Sequence, residues 1–143
     1  MNCLSRARRC TGTGSTFAVC DFSGVEARAL AWCAGDLDAL DTFASGKDPY
    51  KVAAAEIFGV SYEHVDKPMR QVGKIAELAC GYGQGGAKFA ETAAAMGADL
   101  EAAGVDSFEV VARWRKLHAP TVEFWAQVEA AFRKAGAAAR EML

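Results

Sequence analysis

Residues 66–83, with the sequence DKPMRQVGKIAELACGYG, predict the helix around which the rest of the chain is organised. Asp66 can cap the first turn, and Pro68 stands where a missing N–H costs nothing. The glycines that follow Cys80 end the helix. A helix at this position, in a chain rich in alanine and with only three prolines, predicts a mainly helical protein.

Two cations share one face of this predicted helix. Arg70 and Lys74 are four residues apart, and Leu78 lies one turn further along the same stripe. Cations near a helix start are unfavourable for an isolated helix, but with free amides they suit a polyphosphate. A solvated basic edge is the alternative, and the spacing leaves both open. Gly73 is expected to cost the helix about 1 kcal/mol relative to alanine.

Further helices are predicted on both sides of this segment. They cover about residues 24–34, 36–46, 49–58, 87–96, 107–117 and 120 to the C-terminus. Residues 84–86 predict a flexible joint, and residues 16–20 are the best strand candidate. Because one strand cannot form a sheet, its neighbours are expected elsewhere. Residues 1–14 are basic, have no apolar period and predict a loose leader.

The composition excludes several classes of protein. A length of 143 residues allows one domain with its own core, and a formal charge of −2 argues against a generally basic nucleic-acid binder. No apolar run is long enough to span a membrane. Five cysteines without a CxxC pair predict neither a disulfide framework nor a zinc site, which fits a reducing cytoplasm. His64 and His118 are isolated and are expected to be structural or surface residues.

Asp21 directly follows the predicted strand and precedes the next helix. A carboxylate at such a position can project into a cleft and suits Mg²⁺, which favours one or two carboxylates together with substrate phosphates. A simple turn or cap aspartate is the alternative. Ser23 and Glu26 fit a capping box, so Glu26 also has a purely structural interpretation.

The two segments together resemble the first two conserved motifs of the family A DNA polymerases, the DNA polymerase I type. Residues 21–28, DFSGVEAR, look like the first motif, which is usually Asp-Tyr-Ser-Gln-Ile-Glu-Leu-Arg. Residues 70–83 read Arg-x-x-x-Lys-x-x-x-Leu-x-x-x-Tyr-Gly and resemble the second motif, on the fingers helix. Their order and separation also match, and the resemblance covers about residues 16–135. The motif residues are most similar to those of phage or prophage members of the family.

The resemblance implies a mainly α fold, in which a helical fingers subdomain carries one short palm β-strand. The chain would be a fragment of an α+β polymerase domain. Residues 1–15 would be an unstructured leader, and residues 16–35 a partial palm with the first motif. Residues 36–118 would form the fingers, and residues 119–143 a C-terminal helix that returns toward the palm.

The resemblance also implies roles for the motif residues. Asp21 would be one of two palm carboxylates that hold two catalytic Mg²⁺ ions, with the Phe22 backbone carbonyl as a further ligand. Glu26 would be the steric gate that excludes a ribose 2′-hydroxyl. Arg70 and Lys74 would be catalytic residues that grip the phosphates of the incoming nucleotide.

The remaining motif residues would contact the nucleotide and the DNA template. Leu78 would pack beside the sugar and base, Tyr82 would stack at the templating position, and Gly83 would let the chain bend there. Several residues depart from the family's pattern, and Gly24 replaces the usual Gln of the first motif. Leu78 stands where Phe or Tyr is common, and Tyr50 stands where many relatives have His.

The family's third motif, His-Asp-Glu, supplies the second metal carboxylate, and no His-Asp pair occurs in this sequence. The resemblance therefore implies a fragment of a DNA-directed DNA polymerase that is inactive alone. The complete enzyme would use primer–template DNA and deoxynucleoside triphosphates in the cytoplasm of a bacterial or phage-infected cell, without membrane contact. Two alternatives stay open: half of a split polymerase that assembles with a separate palm piece, or a non-catalytic nucleotide- or DNA-binding remnant.

Overall fold

A computed structural model of the chain describes residues 8–9, 16–17, 22 and 24–141. In these residues the predicted mainly helical fold is confirmed. The α-helices are α1 Val25–Ala34, α2 Leu37–Ala44, α3 Pro49–Phe58, α4 Lys67–Cys80, α5 Gly86–Ala95, α6 Ser107–Leu117 and α7 Ala119–Glu141. A short 3₁₀ helix, Tyr62–His64, precedes α4 and has no sequence signal of its own. Within the described residues, no helix combines the length and the apolar character that a membrane span requires.

Four helices begin at an aspartate whose carboxylate accepts a backbone N–H of the first turn. The caps are Asp36 of α2, Asp48 of α3, Asp66 of α4 and Asp106 of α6. Each cap satisfies a donor that the helix itself cannot, which contributes about 1 kcal/mol. The predicted starts of α2 and α4 are confirmed because a capping signal is local to the sequence.

Helix α1 begins differently from the predicted capping box. Its N-cap is Gly24, which has a φ of 62°, and no described side chain caps it. Glu26 forms a hydrogen bond with Tyr82, beyond the end of α4, while Ser23 lies outside the described residues. The turn into α1 is therefore made by the left-handed backbone of a glycine, which lacks the Cβ that makes this conformation costly.

The predicted strand over residues 16–20 is described only at its first two residues. Strand β2, Thr16–Phe17, pairs antiparallel with β1, Arg8–Arg9, so that Arg8 faces Phe17 and Arg9 faces Thr16. Residues 1–14 were expected to be without structure, and the strand was expected to have its neighbours elsewhere. The described pairing differs because a partner a few residues upstream costs little loop entropy. Residues 18–20 lie outside the described part of the chain.

The hydrophobic core lies between α3, α4, α5 and α6. Its large buried side chains are Ile57, Val72, Ile75, Phe89, Val110 and Trp114. Burial of each such side chain contributes about 1.5–3 kcal/mol. Helix α7 packs against this body through Trp125, whose ring stacks on Trp114 with 6.1 Å between ring centroids. The core therefore holds α4 firmly against α3 and α6.

Two glycines are required by close packing between elements. A Cβ on Gly73 would lie 2.9 Å from the backbone nitrogen of Ala54 and would collide with the carbonyl oxygen of Tyr50. The expected penalty for glycine inside α4 is therefore outweighed, since alanine would overpack the α3–α4 contact. Gly86 belongs to the segment predicted as a flexible joint, yet it is buried and a Cβ there would lie 2.6 Å from the Phe108 ring.

Candidate functional site

A cavity of about 550 Å³ lies between α1, α2, α3, α4 and the joint of α6 and α7. Its lining includes four of the motif residues that were assigned roles at the nucleotide: Glu26, Arg70, Leu78 and Tyr82. Glu26 comes from α1, whereas the other three lie along α4 and just beyond it. The fold thus brings residues of the two motifs together at one concave surface.

Arg70 is held at the start of α3. Its Nε donates a hydrogen bond of 2.6 Å to Oδ2 of Asp48, and the two side chains are 39% and 28% exposed. The guanidinium carbon lies 5.2 Å from the centre of the Tyr50 ring, a distance typical of a cation–π contact. All three residues line the cavity. The expected phosphate-binding cation is therefore at the site, and its position is set by α3.

Glu26 and Tyr82 connect the beginning of α1 to the segment after α4. The Tyr82 hydroxyl donates a hydrogen bond to the Glu26 carboxylate, and this bond, together with the negative charge, raises the pKa of Tyr82. The phenol therefore stays protonated and acts as a donor. The ring of Tyr82 is largely exposed, so its faces are accessible to a planar group.

The other motif residues occupy different positions. Leu78 is partly exposed on the cavity wall, and Gly83 is exposed with a φ of 75°. Lys74 lies one turn after Arg70 on α4, but it is not among the residues that line the cavity. Phe22 is exposed, and Asp21 lies outside the described residues. The roles of all the motif residues, including the metal role of Asp21, stay predictions.

The described residues alone form no cluster of metal ligands. Within them, no group of three or more aspartate, glutamate, histidine or cysteine side chains could hold an ion. Two of the carboxylates that line the cavity have other partners, since Glu26 accepts from Tyr82 and Asp48 accepts from Arg70. No catalytic step through a metal ion follows from this arrangement.

A buried ionisable cluster borders the cavity and was not predicted from the sequence. His118 contacts two carboxylates: its Nδ1 lies 2.9 Å from Asp36 Oδ2, and its Nε2 lies 3.0 Å from Glu77 Oε1. The indole N–H of Trp114 donates to the same Glu77 oxygen at 3.2 Å. The His118 ring also lies against Trp114, with 4.6 Å between ring centroids. The cluster joins the start of α2, the last turn of α4 and the end of α6.

The pKa of His118 is raised although burial acts against it. Burial alone lowers the pKa, but the hydrogen bonds and charges of Glu77 and Asp36 outweigh that effect. A protonated imidazole donates from both ring nitrogens, which matches a carboxylate on each side. His118 thus links three helices through buried contacts with carboxylates, and its two partners are far away in sequence and gave no signal.

Comparisons with known proteins agree with the motifs at this cavity. The family model of DNA polymerase family A matches residues 5–138. The chain is 41% identical over 124 residues to a DNA polymerase of Bacillus phage SP02, an alignment that covers 85% of this chain and 19% of that protein. It is 34% identical over 95 residues to DNA polymerase I of Aquifex aeolicus, which covers 64% of this chain and 17% of the relative.

A third relative is the thermostable DNA polymerase I of Thermus thermophilus. It is 37% identical over 70 residues, or 49% of this chain and 8% of the relative. The chain therefore spans less than a fifth of the length of these curated relatives.

Proposed function

Because this chain belongs to DNA polymerase family A, we propose that its cavity binds the deoxynucleoside triphosphate used in template-directed nucleotidyl transfer to a primer 3′-hydroxyl. One observation carries the proposal: Glu26, Arg70, Leu78 and Tyr82, from two separate motifs, line the same cavity. A concave, mainly apolar surface with a few polar groups is typical of small-molecule sites.

The phosphate end of the nucleotide would lie at Arg70. A guanidinium presents a planar fork of N–H donors that matches two phosphate oxygens. Lys74, one turn further along α4, would add a second positive charge from the edge of the cavity. Both charges would offset the negative charge that accumulates as pyrophosphate leaves.

The sugar and base would lie along Leu78 and Tyr82. Leu78 supplies an apolar wall, and the exposed Tyr82 ring supplies a stacking surface beside the template, where Gly83 permits a bend. Glu26 would act as the steric gate against a ribose 2′-hydroxyl. Its hydrogen bond to Tyr82 supports this role, because the bond keeps the carboxylate next to the proposed sugar position.

Polymerisation would need further groups. Family membership implies a divalent metal in general, and we propose Asp21 and the Phe22 carbonyl as its ligands from this chain. The sequence contains no His-Asp-Glu motif, which would supply the second carboxylate. These 143 residues alone are therefore proposed not to extend a primer. Residues 16–35 would contribute to the palm, residues 36–118 would form the fingers, and residues 119–143 would return toward the palm.

Nucleotide binding tests the proposal at the level of the cavity. Trp114 lines the cavity, so tryptophan fluorescence should change saturably when dATP is added to the purified chain. Arg70→Ala should raise the dissociation constant by at least about tenfold, because a charge-assisted hydrogen bond contributes about 1.5–3 kcal/mol. Arg133→Ala is the matched control, since Arg133 also pairs with a carboxylate but lies on the exposed face of α7.

Two results would contradict the proposal. Equal dATP affinity of the Arg70→Ala and Arg133→Ala variants would remove the phosphate role of Arg70. Absence of saturable binding by the parent chain would remove the proposed nucleotide site itself. In a separate primer-extension assay we expect no product, and extension that is lost on Asp21→Ala would contradict the proposed inactivity of the isolated chain.

A further inference from the structure

We propose that Asp48 is a positioning residue, which holds the Arg70 guanidinium in an orientation that can bind phosphate. This inference rests on the proposed nucleotide site and assigns a task to a residue that lies outside both sequence motifs. It follows from the hydrogen bonds of Arg70, from those of Asp48 and from the contact between α3 and α4.

The Arg70 guanidinium is anchored through only part of its donor set. Asp48 takes the Nε–H at 2.6 Å, and among the described residues neither terminal nitrogen has a hydrogen-bond partner. A guanidinium has five N–H donors, so four remain on the two terminal nitrogens. That pair of nitrogens is the part of arginine that binds two phosphate oxygens side by side. The Tyr50 ring supports the guanidinium at 5.2 Å.

Asp48 is itself held in place by several bonds. Its Oδ1 accepts the backbone N–H of Tyr50 at 3.0 Å, which caps α3, while its Oδ2 accepts from Arg70. Its backbone N–H donates to the Tyr62 hydroxyl at 3.1 Å. Both carboxylate oxygens are therefore used, and the anchor of Arg70 is a fixed point at the start of α3.

The backbones of α3 and α4 are also held at a fixed separation. Gly73, three residues after Arg70 on α4, has no room for a Cβ because the Tyr50 carbonyl and Ala54 lie against it. Arg70 therefore starts from a defined backbone position beside Asp48. With its backbone and its Nε both fixed, the arginine side chain loses little further freedom when a phosphate binds.

The negative charge of Asp48 acts in the opposite direction, since it repels a triphosphate. The pair is 39% and 28% exposed, so water and salt screen this repulsion. Without the Asp48 carboxylate, in contrast, the long Arg70 side chain has to be ordered whenever a triphosphate binds, and this ordering costs conformational entropy. We therefore expect removal of the Asp48 carboxylate to weaken triphosphate binding about fivefold.

The test uses the full chain, with dATP and inorganic tripolyphosphate as separate probes in the fluorescence titration. Asp48→Ser keeps a good helix cap but cannot reach Arg70, and Asp48→Asn serves as a second variant if the first does not fold. Asp106→Ser is the matched control, because Asp106 caps α6 and does not line the cavity. We expect weaker binding of both probes by the Asp48 variants and unchanged binding by Asp106→Ser.

A double-mutant cycle separates positioning from a merely structural role. If Asp48 acts through Arg70, Asp48→Ser should have no weakening effect in an Arg70→Ala background. The inference is overturned if Asp48→Ser weakens binding equally in the parent chain and in the Arg70→Ala chain. It is also overturned if Asp48→Ser leaves binding by the parent chain unchanged or makes it tighter. If the parent chain binds the probes through Arg70 but binding does not depend on Asp48, this inference is overturned and the proposed function is not. Absence of parent binding overturns the proposed function and the inference with it.

Discussion

Replacement of His118 by alanine should destabilise the chain strongly, because it leaves two buried carboxylates without their shared cation. The side chains of His118, Asp36 and Glu77 are 14%, 3% and 8% exposed. Removal of one partner from a buried charge pair costs about 3–5 kcal/mol. The lower end applies here, since Asp36 keeps the backbone N–H of Ala39 and Glu77 keeps the indole N–H of Trp114.

A loss of about 3 kcal/mol should lower the melting temperature of a chain of this size by about 10 °C. The free energy of unfolding can be measured by urea titration monitored by circular dichroism. His64→Ala is the matched control, because His64 is exposed and forms a single side-chain contact with Ser61. We expect His64→Ala to stay within about 0.5 kcal/mol of the parent.

The His118 effect should also depend on pH, in a direction set by its raised pKa. The folded chain binds the His118 proton more tightly than the unfolded chain, so this stabilisation is complete below the unfolded pKa of about 6.5. It is lost as the pH rises through the higher folded pKa. The difference in unfolding free energy between the parent and His118→Ala should therefore shrink over that range.

Two results would refute this account of the cluster. One is a His118→Ala chain whose free energy of unfolding is within about 1 kcal/mol of the parent at a pH of about 6, a difference typical of exposed pairs. The other is a difference between the two chains that grows as the pH rises. Either would mean that the protonated imidazole does not stabilise the fold.

Two further predictions concern α4 and its end. Gly73→Ala should destabilise the chain by about 1–3 kcal/mol through overpacking against α3, as measured by urea unfolding. Gly136→Ala is the control, because a Cβ there meets nothing within 4 Å, and it should leave the stability unchanged or raise it. Equal effects of the two substitutions would contradict the packing argument. Glu26→Gln should lower the pKa of Tyr82, because it removes the nearby negative carboxylate. The pKa can be measured by NMR from the ring carbon shift of Tyr82 during a pH titration. An unchanged pKa would refute the hydrogen bond between the two side chains.

Much of the fold could be predicted because helix starts and stops are local signals. Asp36 and Asp66 cap the helices that they were expected to cap, and α3 covers the predicted residues 49–58. The start of α1 was less predictable. Ser23 and Glu26 matched a capping box, but the backbone turns at Gly24, and Glu26 bonds to a residue far along the chain.

The contacts that shape the cavity could not be predicted from the sequence, because they join residues that are distant in the chain. Arg70 and Asp48 are separated by 22 positions, and His118 lies 82 positions from Asp36 and 41 from Glu77. The spacing of residues along the sequence does not indicate which of such distant residues come into contact. Gly73 shows the same limit: helix propensity predicted a cost, whereas the packing of α4 on α3 makes glycine the residue that fits.

A deoxynucleoside triphosphate is proposed to bind where α1 and α4 line one cavity. The most direct measurement is NMR mapping of backbone amides in the labelled chain during a titration with dATP. We expect the largest saturable shifts at residues that line the cavity, around Glu26, Arg70 and Tyr82, with none along the exposed part of α7 near Arg133. Shifts that are absent, or that concentrate away from α1 and α4, would contradict the claim.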